Sequence, residues 1–241
     1  MFKRILFMGR KNDKYSKLLI SDLKKITKNI KIFYSKKPKE NISNKLLNVP
    51  KYWYDYIICF RSYYILKKKQ IEKSRFAAIN FHPGPPEYRG IGCINYALYD
   101  NVKKYGVTAH IISKKIDSGK IIDVKRIRIL KKDNLESLLR KTYFAQYFQA
   151  KKVIKLLSRN NNNLTNLIYK YRKVKWSRII KKRKDLDKFY ELKRNITKDE
   201  FKRKIRATFT KKYKPYFLIN YKKIIIKDKI LINKYFSTIK L

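Results

Sequence analysis

Residues 54–84 read YDYIICFRSYYILKKKQIEKSRFAAINFHPG. Within them, Tyr56-Ile57-Ile58-Cys59-Phe60 is apolar at both parities, so Tyr54–Phe60 reads as a strand buried on both faces. Leu66–Lys73 follows as a short helix. Phe76–Phe81 is then a second strand, stopped by the Pro83-Gly84 loop. Working outward, Ile5–Gly9 and Ile30–Tyr34 read as strands. Between them Leu18, Leu19, Leu23 and Ile26 recur at helical spacing and predict an amphipathic helix over Tyr15–Lys28. Ile91–Asn101 predicts a helix. Val107–Ser113 and Val124–Ile129 predict strands separated by the Asp117-Ser118-Gly119 turn, and Asn134–Leu157 predicts a long helix. Strands alternating with helices imply an α/β fold, a mostly parallel twisted sheet with helices on both faces. Ligands of such sheets bind beyond the carboxyl ends of the strands. Asn80 and His82 stand at such an end.

The pattern changes after the polar break Asn160–Asn163. Thr197-Lys198-Asp199-Glu200 fits a capping box and opens a helix toward Ala207. Pro215 precedes three apolar β-type runs, Tyr216–Ile219, Ile224–Ile226 and Ile230–Ile232. The expected organisation is a catalytic core over residues 1–158 and a linker carrying Trp176 over 159–195. A small C-terminal α+β appendage, one helix plus a β-hairpin, would occupy 196–241.

The 241 residues include 64 Lys+Arg and 17 Asp+Glu, for a net charge of +47. A hydrophobic content of 44%, with 20 Tyr and 13 Phe, excludes a disordered polycation. No apolar stretch approaches the ~20 residues of a membrane-spanning helix. The run Ile5–Met8 is too short for a signal peptide. No membrane partner and a cytoplasmic location are therefore expected. Cys59 and Cys93 have neither pair nor metal spacing, which fits a reducing compartment. Lys, Ile, Asn, Tyr and Phe are abundant while Ala and Gly are scarce, the signature of A/T-rich codons. The charge, including Lys67–Lys69 and Lys181–Lys184, accordingly reads as drift onto solvated faces. Nucleic-acid binding is the alternative that such an excess favours.

Residues that resist this drift mark a site. Five of the six glycines lie between Gly84 and Gly119, with three of the six prolines (Pro83, Pro85, Pro86) and both histidines, His82 and His110. Positive φ and fixed loop shape are what Gly and Pro supply, so this span is a shaped loop region. Asn80 and His82, two apart on a strand, point to one side, and the turn at Asp117 can approach them from a neighbouring strand. An amide, an imidazole and a carboxylate together suit acyl transfer to an amine. The amide stabilises an oxyanion, the imidazole relays a proton, and the carboxylate fixes its tautomer. No Ser or Cys nucleophile accompanies them, which favours direct transfer. His110, inside a strand pattern, reads as a satisfied structural histidine. Neither G-x-G-x-x-G nor G-K-[ST] occurs, and two His with two scattered Cys argue against zinc, so no metal is expected.

Asn80-Phe81-His82-Pro83-Gly84, Tyr88-Arg89-Gly90, Gly106-Val107-Thr108-Ala109-His110 and Asp117-Ser118-Gly119-Lys120-Ile121, in this order, closely resemble the 10-formyltetrahydrofolate-dependent formyltransferase family. The resemblance covers roughly residues 3–155, more weakly the tail. It implies a Rossmann-like core binding 10-formyltetrahydrofolate as cosubstrate. Asn80 would polarise the formyl oxygen, and His82 with Asp117 would handle the proton as the amine attacks. It further implies a folate pocket lined by Phe60, Arg61, Ser62, Tyr63, Tyr64, Ile65 and Leu66, largely through backbone, with Ile112, Lys115 and Ile116 on its other side.

Family members that formylate initiator methionyl-tRNA carry a C-terminal β-barrel, for which too little chain remains here. The loop containing Pro85, Glu87, Tyr88, Arg89 and Gly90 resembles the branch acting on nucleotide-linked amino sugars, as do Lys175-Trp176-Ser177-Arg178 and Lys204-Ile205-Arg206-Ala207-Thr208. These loop residues are the expected substrate contacts, with Trp176 stacking on a base and Arg206 pairing with a phosphate. The implied partner is an anionic amino-sugar nucleotide, such as a dTDP-4-amino-4,6-dideoxy sugar, in lipopolysaccharide O-antigen biosynthesis. The apolar tail hairpin is expected to supply a homodimer interface. The alternative is a methionyl-tRNA formyltransferase-like enzyme without the barrel, with tRNA as partner.

Overall fold

The computed structural model describes residues 4–38, 40, 42, 44–159 and 163–226. In chain order these form β1 (Ile5–Arg10), α1 (Lys14–Lys24), β2 (Ile30–Ser35), α2 (Asn44–Leu47), β3 (Tyr54–Phe60), α3 (Lys68–Ile71) and β4 (Ser74–His82). Then come β5 (Arg89–Gly90), α4 (Cys93–Tyr99), β6 (Lys104–Ile111), β7 (Ile121–Arg128), α5 (Leu135–Arg159) and α6 (Asn163–Lys170). The last are β8 (Ile180–Lys181), α7 (Arg183–Phe189), β9 (Glu191–Leu192), α8 (Lys198–Thr208), β10 (Tyr216–Ile219) and β11 (Lys222–Ile225). Of the expected break at Asn160–Asn163, residues 160–162 lie outside the described residues, as does the run at Ile230–Ile232, while Asn163 opens α6. Among those described, no helix is long and apolar enough to cross a membrane.

The main sheet has the order β2-β1-β3-β4-β6-β7. β1 pairs parallel with β2 and β3, and β3 with β4, whereas β6 runs antiparallel to β4. This is the expected mostly parallel α/β sheet. Alternation along each strand divides the core between its faces. Ile5, Phe7, Tyr56, Ile58, Ile79 and Phe81 pack with Leu19 and Leu23 of α1 and with Val153, Ile154 and Leu157 of α5. Leu6, Met8, Ile57, Cys59 and Ala78 face the other way, toward Ile42, Leu47 and Leu66. α1 starts where Asp13, as N-cap, accepts from the Ser16 N–H at 2.8 Å. The strand order reverses direction between β1 and β3, which opens the crevice at their carboxyl ends.

The chain divides into two compact units. The first comprises residues 1–87, 106–127 and 141–178 and contains most of this sheet. The second comprises 88–105, 128–140 and 179–241. Within it, Asn95 on α4 donates to the Ala207 carbonyl of α8 at 2.7 Å. Leu192, Ile196, Phe201, Ile205 and Phe217 form its core. β9, β10 and β11 make a three-stranded sheet, and β5 pairs parallel with β8. Gly90 sits at φ +93° in that ladder, where a Cβ would meet the Lys181 carbonyl at 2.2 Å. The tail runs Tyr216–Ile219 and Ile224–Ile226 do form a hairpin, with Tyr216 opposite Ile225.

Candidate active site

The last residues of β4 include two of the candidate site residues, Asn80 and His82. Asn80 and His82 share the parity of Ala78, away from the face buried by Ile79 and Phe81. β6 lies alongside in a register that sets Asn80 opposite His110 and His82 opposite Thr108. The Thr108 hydroxyl donates to the Gly84 carbonyl at 2.7 Å, which ties the loop after His82 to β6. On the other side of β4, Gln146 of α5 donates its amide to the Phe81 carbonyl.

The turn after β6 brings in the carboxylate. The Ile111 N–H donates to the Lys120 carbonyl at 2.9 Å and closes the turn. A Cβ at Gly119 would lie 1.7 Å from the Ile111 carbonyl oxygen, so only glycine fits. Asp117 occupies the left-handed region, at φ +45°. Its Oδ2 is 3.4 Å from His82 Nδ1, and its Oδ1 is 3.5 Å from His110 Nε2. All three side chains are at most 8% exposed.

Hydrogen-bond bookkeeping assigns the protons. His110 Nδ1 lies 2.9 Å from the Ile111 carbonyl, which can only accept, so Nδ1 carries the proton. Nε2 then accepts from Asn80 Nδ2 at 3.2 Å, and the second amide hydrogen of Asn80 remains for a ligand. His82, with Nδ1 toward Asp117, presents Nε2 as its basic nitrogen. The 3.4 Å separation is long for a hydrogen bond. His110 thus touches both Asn80 and Asp117. The sequence reading missed this part of its role, because pairing register across 30 residues has no local signal.

Trp176 closes the group. Its rings stand edge-on to those of His110 and His82, with centroids 5.0 and 5.9 Å away. The indole N–H donates to the Gly119 carbonyl at 2.8 Å.

The loop expected to hold folate is partly committed to the fold. Phe60 and Leu66 are buried in the core. Arg61, at φ +58°, pairs with Asp13 at 3.0 Å and lies over the Tyr143 ring. The Tyr63 N–H donates to Ser35 Oγ, the Tyr64 N–H to Ser62 Oγ, and Arg10 stacks on Tyr63. Ile65 is exposed, as is Ile116 in the Asp117 turn. The Ile112 N–H donates to the Ala78 carbonyl, and the Lys115 carbonyl accepts from the Ser113 and Ser118 hydroxyls. Arg10, Asp13 and Tyr143 were not foreseen from sequence. They come from three separate segments, β1, the N-cap of α1 and α5, and meet the loop only in the folded chain.

Of the expected substrate contacts, Pro85 is buried. Glu87 receives both terminal nitrogens of Arg126, at 2.8 and 2.6 Å, and this hydrogen bonding holds its carboxyl below the usual range. Tyr88, Arg89, Gly90 and Arg206 belong to the second unit. There the Tyr88 hydroxyl donates to Asp100 at 2.8 Å, while Arg89 and Gly90 lie in β5. Arg206 donates to the Asp133 and Leu130 carbonyls and to Asn101 Oδ1, so its guanidinium holds the turn before α5.

The chain is 32% identical over 148 residues to the bifunctional polymyxin resistance protein ArnA of Wigglesworthia glossinidia brevipalpis, covering 55% of this chain and 23% of that protein. It is 40% identical over 78 residues to the methionyl-tRNA formyltransferase of Thermodesulfovibrio yellowstonii, covering 32% and 25% respectively. It therefore spans about a quarter of the length of these curated relatives. Two solved structures share the fold over most of both chains. The 4-N formyltransferase of Francisella tularensis has a TM-score of 0.66 at 20% identity, covering 92% of this chain and 96% of that one. The N-formyltransferase of Helicobacter canadensis, solved with folinic acid and dTDP-3-aminofucose, has a TM-score of 0.67 at 20% identity, covering 92% and 86%. The model of the Formyl transferase family matches residues 4–150, a span that includes Asn80, His82, His110 and Asp117. By that match over more than half its length, this chain belongs to the formyl transferase family.

Proposed function

We propose that this protein moves the formyl group of 10-formyltetrahydrofolate onto the amine of a nucleotide-linked amino sugar. The observation that carries this reading is the meeting of Asn80, His82 and Asp117 at one strand end, in a chain of this family. The sugar as acceptor is supported by the likeness to sugar N-formyltransferases over nearly the whole chain. A flat heteroaromatic cosubstrate is supported by Ile65 and Ile116, which lie on the two segments expected to flank it and are both exposed large apolar side chains.

When bound, 10-formyltetrahydrofolate supplies an activated one-carbon carbonyl whose bond to nitrogen breaks as the bond to the sugar amine forms. Asn80 directs its uncommitted amide hydrogen at the formyl oxygen, where negative charge develops. His82 takes the proton that the attacking amine sheds and returns a proton to the departing nitrogen. Asp117 keeps His82 in the tautomer with Nδ1 protonated and stabilises the imidazolium formed in transit. Near-complete burial excludes water from the imidazole and the carboxylate.

Two further features belong to the same reading. Leu218, Ile224 and Ile225 of the β10–β11 hairpin are exposed, which supports a homodimer through that hairpin. The N-formyl sugar would serve a later glycosyl transfer into a lipopolysaccharide O-antigen.

Transfer to methionyl-tRNA is the second reading, favoured by local identities to methionyl-tRNA formyltransferases and by the +47 charge. A formyl-release assay across amino-sugar nucleotides and charged initiator tRNA decides between them. Turnover on a sugar nucleotide with none on tRNA is expected, and the converse would replace the first reading by the second.

A further inference from the structure

We propose that Trp176 is a positioning residue that, together with Ser177, clasps the turn carrying Asp117 to the loop that follows His82. This rests on the proposed formyl transfer at that site, but its structural half can be tested without turnover.

Two successive residues reach in two directions. The Trp176 indole N–H donates to the Gly119 carbonyl at 2.8 Å, two residues beyond Asp117. The next backbone N–H, of Ser177, donates to the Pro86 carbonyl at 2.9 Å, four residues beyond His82. One short segment thus grips the carboxylate's turn and the imidazole's loop, and all of it lies in the first unit. Asp117, a non-glycine at φ +45°, holds a strained conformation that persists only where its surroundings enforce it. The turn has little slack at Gly119, where a Cβ would meet the Ile111 carbonyl oxygen at 1.7 Å. A bond to the Gly119 carbonyl therefore bears on Asp117 through a stiff connection. The indole also stands edge-on to both imidazoles, which limits the rings' tilt and their contact with water. The base-stacking role expected for Trp176 would use the face of its ring and leaves the N–H out of account. Here that N–H is committed within the site.

The test compares the wild-type chain with Trp176→Phe, which keeps a ring and removes the donor, and with Trp176→Ala. Trp53→Phe is the control. Trp53 is the other of the two tryptophans and stacks on Arg4. Backbone hydrogen exchange read by mass spectrometry is expected to quicken at residues 113–121 and at the Gly84 and Glu87 amides, the exchangeable ones of the Pro83–Glu87 loop, in Trp176→Phe, with the rest of the first unit unchanged. With 10-formyltetrahydrofolate and the accepted amine, kcat is expected to fall about 10- to 100-fold, the loss that a misplacement near 1 Å produces. KM for the folate should stay within about twofold. Trp176→Ala should show both effects more strongly, and Trp53→Phe neither. Unchanged exchange at 113–121 in Trp176→Phe would overturn the clasp, whether or not formyl transfer is observed. A rise in KM for the sugar nucleotide at unchanged kcat would also overturn it and make Trp176 a substrate contact.

Discussion

Asp117 is the most constrained of the three side chains proposed to do the chemistry. It sits at positive φ, nearly buried, between two imidazoles. Asp117→Asn keeps its size but removes the charge that orients His82, so kcat is expected to fall by at least 10²-fold with the fold retained. His82→Ala should do the same, and residual activity above about 1% would deny it the role of proton carrier. Both measurements need only the formyl-release assay and a circular dichroism spectrum. Asn80, His82 and Asp117 were legible in the sequence because Gly, Pro and His survive around them in a chain otherwise drifted toward Lys, Ile and Asn. His110 was legible as buried but not as a partner. Its contacts depend on the register of β6 against β4, and register is a long-range property. Arg206 shows the opposite limit. Its residue type suits a phosphate, but the structure commits its guanidinium to the carbonyls of Asp133 and Leu130.

At the scale of elements, α5 is both a wall of the core and a scaffold for strand ends. Gln149 is fully buried, and its amide donates to the Val107 and Asp123 carbonyls and to Asp123 Oδ2. Gln149→Leu is expected to destabilise the fold by about 1–3 kcal/mol, because it strands buried acceptors. Denaturant unfolding followed by circular dichroism measures this, and an unchanged midpoint would show that the network is dispensable. Cys59 in β3 is buried, and that burial pushes its thiol up to about 12. It should resist alkylation in the native state at pH 8 and react once denatured. Long periodic elements such as α1, β3 and α5 were legible because burial on one or both faces imposes a repeat. The short pieces β5, β8 and α7 were not. β5 and β8 are two residues each, so they carry no period.

At the scale of the whole molecule, the +47 charge separates the two acceptor readings. Binding to tRNA would release counterions and fall steeply with salt, whereas turnover on a small anionic nucleotide sugar should change only modestly between 50 and 200 mM salt. A salt titration of kcat/KM reads the difference. Acid should also act locally. The Glu87 carboxyl, hydrogen-bonded by Arg126, is held below its ordinary value. Its contribution to stability is therefore present above the unfolded carboxyl's pKa and is lost as pH falls through the lowered one. Arg126→Ala should flatten that part of the acid-unfolding curve, modestly because the pair is half exposed.

The central claim is that a half-buried amide and a buried imidazole on the end of β4, with the buried carboxylate of Asp117, transfer a formyl group. Its most direct test mixes purified protein with 10-formyltetrahydrofolate and an amino-sugar nucleotide and follows the masses of both. The sugar nucleotide should gain one formyl group as tetrahydrofolate appears in equal amount, and Asn80→Ala should abolish the exchange. Formyl transfer that survives intact in Asn80→Ala, or its absence from the wild type with every amine acceptor, would contradict the account.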